Sequence, residues 1–295
     1  MKSIFPAGAL LAPILLATAC TVTLDSQSQI SRDEKRFTVT GTPTVHLTTF
    51  DGAIEIQSWD KPDVLVEVEK RGSTKEAVAA LEVKSSQDGN TIEFEVKKPE
   101  GMSLNGFGFH HSASAKLIVS VPRNADIRAR SGDGSIRIAH VSGRTELHTG
   151  DGSIRAEDVS GDLTFSTGDG SVTVDGAEGR LALETGDGSV NVTGKLGGVR
   201  LHTGDGSIVY RSQPGVAMAD DWDITTGDGT VSLYLPSDFG AELDAHTGDG
   251  SIRNDLTVDG DRSDTNRRTV KGRLGAGGKQ LRIRTGDGSI RLRPL

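Results

Sequence analysis

The chain has 295 residues, 34% hydrophobic and 4% aromatic, with 38 glycines, one cysteine and a formal net charge of −8. That length can bury a substantial core, the regular recurrence of Val, Ile and Leu excludes disorder, and the glycine-rich, aromatic-poor mixture favours short strands and tight turns over packed helices. An acidic chain without a basic stripe excludes a nucleic-acid binder, and a single cysteine excludes an intramolecular disulfide or a cysteine-built zinc site.

Residues 1–20, "MKSIFPAGALLAPILLATAC", have one lysine near the start, an apolar run and small residues ending at Cys20. The run is too short and too interrupted by proline to cross a bilayer, so it reads as a secretory signal. Its end, Ala17-Thr18-Ala19-Cys20, resembles the bacterial lipobox, in which the cysteine thiol is acylated and becomes the mature N-terminus. The usual leucine stands one place early, at Leu16. A plain signal with an accidental cysteine is the alternative. Lipidation at Cys20 is the expectation, and Thr21 after it favours the outer membrane by the usual sorting pattern of such lipoproteins. Residues 21–36 then read as a flexible tether.

Residues 37–125 read as an N-terminal β-rich capping region. "FTVTGTPTVHLTTFDGAIEIQSWDKPDVLVEVEKRG" alternates as strands do and contains one faint Asp-Gly corner, "FDGAIEI". "STKEAVAALEV" is the one convincing helix, opened by a Ser-Thr cap with Glu76 in its first turn. The loop "GMSLNGFGFHHSAS" carries His110 and His111, a pair that needs further ligands before it can hold a metal.

Residues 126–295 form a repeat region. "TGDGSI" and its variants place an Asp at Asp133, Asp151, Asp169, Asp187 and Asp205, each 18 residues after the last, then at Asp228, Asp249 and Asp287. Longer segments such as "RSQPGVAMADD" and "DGDRSDTNRRTVKGRLGAGGK" separate the later copies and read as rim loops of a continuing stack. Apolar residues keep the register, as at Ile127 and Ala129 or Leu163 and Phe165 before the corner and Ile136 and Ile138 or Val172 and Val174 after it. Each unit is therefore strand, Asp-Gly corner, strand and softer Gly bend, where Val141, Val159 and Ala177 can turn inward. Stacking aligns Ile136, Ile154, Val172, Val190 and Ile208 in one internal column. The expected fold class is all-β, a parallel β-helix solenoid of about 18 residues per turn with irregular N-terminal rungs and one short helix. The Asp-Gly pairs read as turn devices that supply positive φ, and the flanking Thr and Ser as groups able to bond a neighbouring turn or their own backbone.

"DGAIEIQSWDKPDVLVEVEKRG", "VPRNADIRARSGDGSI", the serial corners and the ending "GRLGAGGKQLRIRTGDGSIRL" together resemble the bacterial envelope domain family of unknown function labelled "putative adhesin". The likeness runs from about Phe37 to Leu292. It implies a β-helix-like fold and an exported, often lipid-anchored location, and it brings no catalytic residues to carry over.

Three kinds of chemistry remain to be weighed. The aspartate column Asp133, Asp151, Asp169, Asp187 and Asp205 is the candidate calcium site. Yet the toxin-type calcium repeat G-G-x-G-x-D-x-U-x sets Asp two residues before its apolar position, and here Asp133 precedes Ile136 by three. Carboxylates about 5 Å apart repel by about 0.8 kcal/mol in water and about 3 kcal/mol at an effective dielectric of 20, which exposed corners tolerate without a cation. A carbohydrate-active β-helix enzyme is the third reading. A uniform column argues against it, because acid and base roles need carboxylates in unequal environments. His148, His202 and His246 each precede a corner Thr but lie on different turns and cannot share an ion. Arg137, Arg155, Arg253 and Arg291, with Thr173, Asn191 and Ser232, form one outward column, a mixed polar wall that discourages sheet-to-sheet aggregation. The sequence thus points to a non-enzymatic lipid-anchored envelope protein without a cofactor. Its partners would be the membrane, through the anchor, and a glycan or envelope protein, with a calcium-binding module as the alternative.

Overall fold

In a computed structural model, residues 22–25, 28–98, 113–260, 264 and 267–295 are described. Cys20, His110 and His111 lie outside them. The described chain is all-β apart from one short helix, Lys75–Ala79, where the Thr74 side chain accepts from the Ala77 amide at 3.1 Å. Most strands stack in parallel as successive layers, each folded at an Asp-Gly corner. Strands running into the corners form one sheet, here the inbound sheet, and strands leaving them form the outbound sheet. From Ile136 to Ile208 outbound partners are 18 residues apart: Ile136 with Ile154, then Val172, Val190 and Ile208, each at most 1% exposed. The inbound column runs Ile127, Thr145, Leu163, Leu181, Val199, Trp222. Val141, Val159 and Ala177 close a narrow third side and are fully buried. Each buried Val, Ile or Leu contributes roughly 1.5–3 kcal/mol, so these columns hold the stack together.

The faint N-terminal corner is a complete layer. Thr44–Thr49 and Ile54–Trp59 pair on one side with Asp126–Ser131 and Ile136–Ala139, and on the other with Thr91–Lys97 and Ala113–Pro122. Antiparallel strands then end the stack: Glu82–Asp88 on the inbound sheet, and Val64–Gly72, Ser28–Phe37 and Val22–Asp25 in that order on the outbound sheet. Most of the segment expected as a tether, 21–36, is therefore strand. Ser28–Phe37 is strand because it satisfies the backbone groups of the otherwise bare edge of Val64–Gly72, and its exposed Arg32 pairs with Glu69 at 2.8 Å.

The C-terminal layers do not stack in chain order. Gln280–Thr285 and Ile290–Pro294 lie between Trp222–Thr226/Val231–Leu235 and Ala241–Thr247/Ile252–Asn254. The corners therefore run Asp51, Asp133, Asp151, Asp169, Asp187, Asp205, Asp228, Asp287, Asp249, eight intervals spanning roughly 38 Å at ~4.8 Å each. The stretch read as a rim loop before the last copy contains Val258–Asp259 and Thr269–Leu274, which pair antiparallel. Thr269–Leu274 also pairs antiparallel with Ala241–Thr247 and takes its outer edge, so the last copy can join that strand only on its inner side. Where the layers change order the core carries its largest side chains. Trp222 lies edge-on to Tyr210, with centroids 5.1 Å apart, and 5.2 Å from Phe239.

Candidate functional site

The corner repeat is held by two features of backbone chemistry. The Thr, or in the first copy Ser131, that opens each copy is buried, and its hydroxyl donates to the carbonyl of the second corner Gly one layer away: Ser131 to Gly52 at 2.8 Å, Thr149 to Gly134 at 2.8 Å, Thr167 to Gly152 at 2.8 Å, Thr185 to Gly170 at 3.0 Å, Thr203 to Gly188 at 3.1 Å. The permuted layers keep the ladder, Thr285 to Gly229 at 2.9 Å and Thr247 to Gly288 at 2.6 Å. In several copies the same oxygen accepts from its own corner, as from the Gly206 amide at 3.2 Å. The neighbour-bonding role expected for these hydroxyls is present, at about 1 kcal/mol per bond. The reason expected for the glycines is not. No corner Gly from Gly132 to Gly288 is among the residues with positive φ; within the regular repeats these fall at the softer bend instead, as at His140 (φ 59), Asp158 (φ 48) and Gly176 (φ 72). Corner glycine is required by close approach: a Cβ on Gly152, Gly170, Gly188 or Gly206 would sit 2.0–2.2 Å from the carbonyl oxygen of the adjacent layer.

Asp133, Asp151, Asp169, Asp187 and Asp205 are exposed and in line along the outer corner, with no ion-pair partner among the described residues. The first and last corners of the stack differ, since Lys98 reaches Asp51 at 3.6 Å and Arg268 reaches Asp249 at 3.3 Å. His148 and His202 are three layers apart on the inbound face, and His246 bonds Thr269 at 3.0 Å. Arg137 is beside Arg155, and Arg253 beside Arg291, at opposite ends of the outbound wall. One group of possible ligands that sequence reading missed is His140, Glu157 and Asp158 at the bend, whose ligand atoms lie within 4.8 Å of one another. All three are exposed, and His140 is already 3.3 Å from Asp158.

The other feature missed is a groove along the outer inbound face. Three concavities of about 420, 520 and 530 Å³ adjoin one another, sharing Thr164 and then Gln280, and run from Arg128 to Asp244. Small residues, Thr164, Ala182 and Gly198, floor its middle, and Asp220 and Asp221 from the loop before Trp222 overhang it. Its charges are largely paired within the groove. Arg128 bonds Glu146 at 2.7 Å, Arg180 bonds Asp220 at 2.6 Å, and Arg284 bonds Asp244 at 2.8 Å. Arg282 lies 4.0 Å from Asp223. The Arg128 hydrogen bond holds the Glu146 carboxyl below the usual carboxylate range. Burial would raise Asp244, but Arg284 and Lys271 together hold it low, and its Oδ1 is buried without a partner among the described residues. The result is a channel rich in donors and acceptors with little net charge.

A family model described as Toastrack DUF4097 matches residues 44–293. None of the curated proteins matches the chain. Among solved structures it is similar to a "putative adhesin" from Bacteroides fragilis, at 9% identity and TM-score 0.43 over 90% of this chain and 97% of that one. It is also similar to a "putative lipid binding protein" from Parabacteroides distasonis, at 12% identity and TM-score 0.44 over 88% and 96%, respectively. A "putative adhesin" from Parabacteroides merdae aligns at 11% identity and TM-score 0.40 over 88% and 95%.

Proposed function

The chain belongs to the Toastrack DUF4097 family, and from that premise we propose that it is a non-enzymatic envelope protein, lipid-anchored at Cys20 to the outer membrane, whose solenoid body serves as a binding surface. The inbound-face groove carries this reading. It is long, open and lined in near balance by basic and acidic groups, most of them paired with one another, so what it offers a ligand is chiefly hydrogen bonding along a line rather than charge. A neutral, hydroxyl-rich chain such as a glycan fits that chemistry. The parallel stack spaces similar donors and acceptors at about 4.8 Å, which suits a repetitive ligand. The role is that of a scaffold, since Glu146, Asp220, Asp223 and Asp244 are each engaged by an arginine rather than set apart as acid and base.

Two experiments test the two halves of the proposal. Acyl-chain labelling of cells should mark the wild-type protein and not Cys20→Ala, which should leave the membrane fraction or stay unprocessed; equal labelling of both defeats the anchor. Ala182→Arg fills the groove floor from an outward position without touching the core. It should abolish retention of the protein on immobilised neutral bacterial polysaccharides, and unchanged retention on those the wild type binds, or no binding by the wild type, defeats the groove.

A further inference from the structure

The two faces of the solenoid distribute their arginines differently. On the inbound face Arg128, Arg180, Arg282 and Arg284 each lie within 4.0 Å of a carboxylate, and Arg130 and Arg200, which have no such partner among the described residues, stand apart on different layers. On the outbound face the last four strands of the sheet carry Arg211, Arg291, Arg293 and Arg253, and among the described residues only Arg293 has such a partner, Asp255 at 3.9 Å. The register brings them together. Arg253 is beside Arg291, and Arg211 and Arg293 flank Tyr234, with the Arg211 guanidinium 4.1 Å from the Tyr234 ring centroid. A protein of net charge −8 thus gathers four guanidiniums, three of them uncompensated, on one flat end of one sheet.

The opposite edge of that sheet is Val22–Asp25, reached through Ser28–Phe37, Val64–Gly72 and Ala113–Pro122. Cys20 stands two residues before Val22. An extended chain spans at most about 3.3–3.6 Å per residue, so a lipid on Cys20 would hold the membrane within about 7 Å of this edge. The arginine patch lies toward the far end of the same surface, from nine strand spacings away at Arg211 to twelve at Arg253, roughly 43–58 Å.

We propose that the outbound face lies flat against an anionic membrane, with the anchor at one end and phosphate headgroups bound by Arg211, Arg253, Arg291 and Arg293 at the other. This rests on the lipid-anchored reading given above. Acyl chains at one edge hold the body but leave it free to swing. A second, electrostatic contact at the far end fixes its orientation, and Tyr234 has the polar-tipped ring that suits the headgroup level. Guanidinium forks match phosphate oxygens. The groove, on the opposite sheet, then faces away from the membrane and open to its ligand.

The test removes the lipid from the question. The full chain carrying Cys20→Ser is mixed with phosphatidylcholine vesicles with or without phosphatidylglycerol, and bound protein is measured by flotation. Arg253→Ser/Arg291→Ser is compared with Arg130→Ser/Arg200→Ser, an inbound-face pair with the same change in net charge, all in the Cys20→Ser background so that residues 1–19 contribute equally. Phosphatidylglycerol should strengthen binding, salt should weaken it, and the outbound pair should lose roughly fivefold per arginine removed while the inbound pair changes little. Equal losses in both pairs, or no preference for anionic vesicles, overturn the proposal. Outbound-arginine-dependent retention on an acidic polysaccharide without vesicle binding also overturns it, and assigns the face to a glycan. Because lipidation is read separately by acyl labelling at Cys20, failure of the anchor and failure of the face remain distinguishable.

Discussion

Ending the chain at Lys279 tests the interleaved order of the layers. The truncation removes Gln280–Thr285 and Ile290–Pro294, whose Leu281, Ile283, Ile290 and Leu292 are all fully buried. At roughly 1.5–3 kcal/mol per side chain that is about 6–12 kcal/mol of lost burial, comparable with the whole stability of an ordinary domain. In a stack built in chain order the loss would fall on one end layer and the remainder would keep its neighbours. Here both faces of a gap are stripped. The Val231 amide loses its Ser289 acceptor and the Asp249 amide loses Gly286, while the Thr247 hydroxyl loses Gly288. Hydrogen exchange and limited proteolysis on the purified truncation should therefore show residues 241–274 unprotected and cleavable, with protection also lost at Val231–Leu235, and circular dichroism should show a lower, broader melt. If 241–254 stay protected and the melt remains cooperative with only a small loss, the last copy is a terminal layer and the reasoning fails.

Gly170→Ala should destabilise by about 3 kcal/mol, because its Cβ would fall 2.1 Å from the Gly152 carbonyl oxygen, whereas Asp169→Asn should change the melting temperature little. A calcium-dependent loss in Asp169→Asn that chelator reproduces in the wild type would instead revive the aspartate column as a metal site. Thr145→Val should raise stability by about 1 kcal/mol in a denaturant titration, since Thr145 is fully buried and its hydroxyl has no partner among the described residues; a drop would mean that the oxygen is satisfied by bound water. Acid should weaken the fold through Glu69, Glu146 and Asp244. Burial would raise the nearly buried Glu69, yet hydrogen bonds from Arg32 and Arg71 hold it low, and Glu146 and Asp244 are also held below the ordinary range. A depressed carboxylate contributes stability above its unfolded value and loses it as pH falls through the folded one, so melting temperature should be flat near neutrality and fall below about pH 4. In Glu69→Gln that fall should shrink, and a variant with the wild-type pH profile would remove Glu69 from the account.

Much of this fold is legible because its rules are local. Period-two alternation names the inward residues, and the recurrence of 18 aligns Ile136, Ile154 and Val172 without any knowledge of three dimensions. The glycines of the corner are equally visible, but their reason is not: a carbonyl 2.1 Å from where a Cβ on Gly170 would be belongs to another layer, and nothing within the hexapeptide distinguishes that need from a positive φ. Ser28–Phe37 is a strand only because the edge of Val64–Gly72 lies beside it, a partner that nothing within residues 28–37 records.

The sequence by itself determined the unit: its inward columns, its corner, its bends and the hydroxyls that tie one copy to the next. It could not determine which copy lies on which, because near-identical copies present near-identical edges and any one can pair with any other. Only the tertiary structure decided that, once the antiparallel strand Thr269–Leu274 had taken one edge of Ala241–Thr247 and left the last copy to fill the gap beside Trp222–Thr226. The groove follows from the same choice. Arg282 faces Asp223 and Arg284 faces Asp244 because the last layer lies between two earlier ones, an adjacency set by edge pairing across space and absent from any run of neighbouring residues.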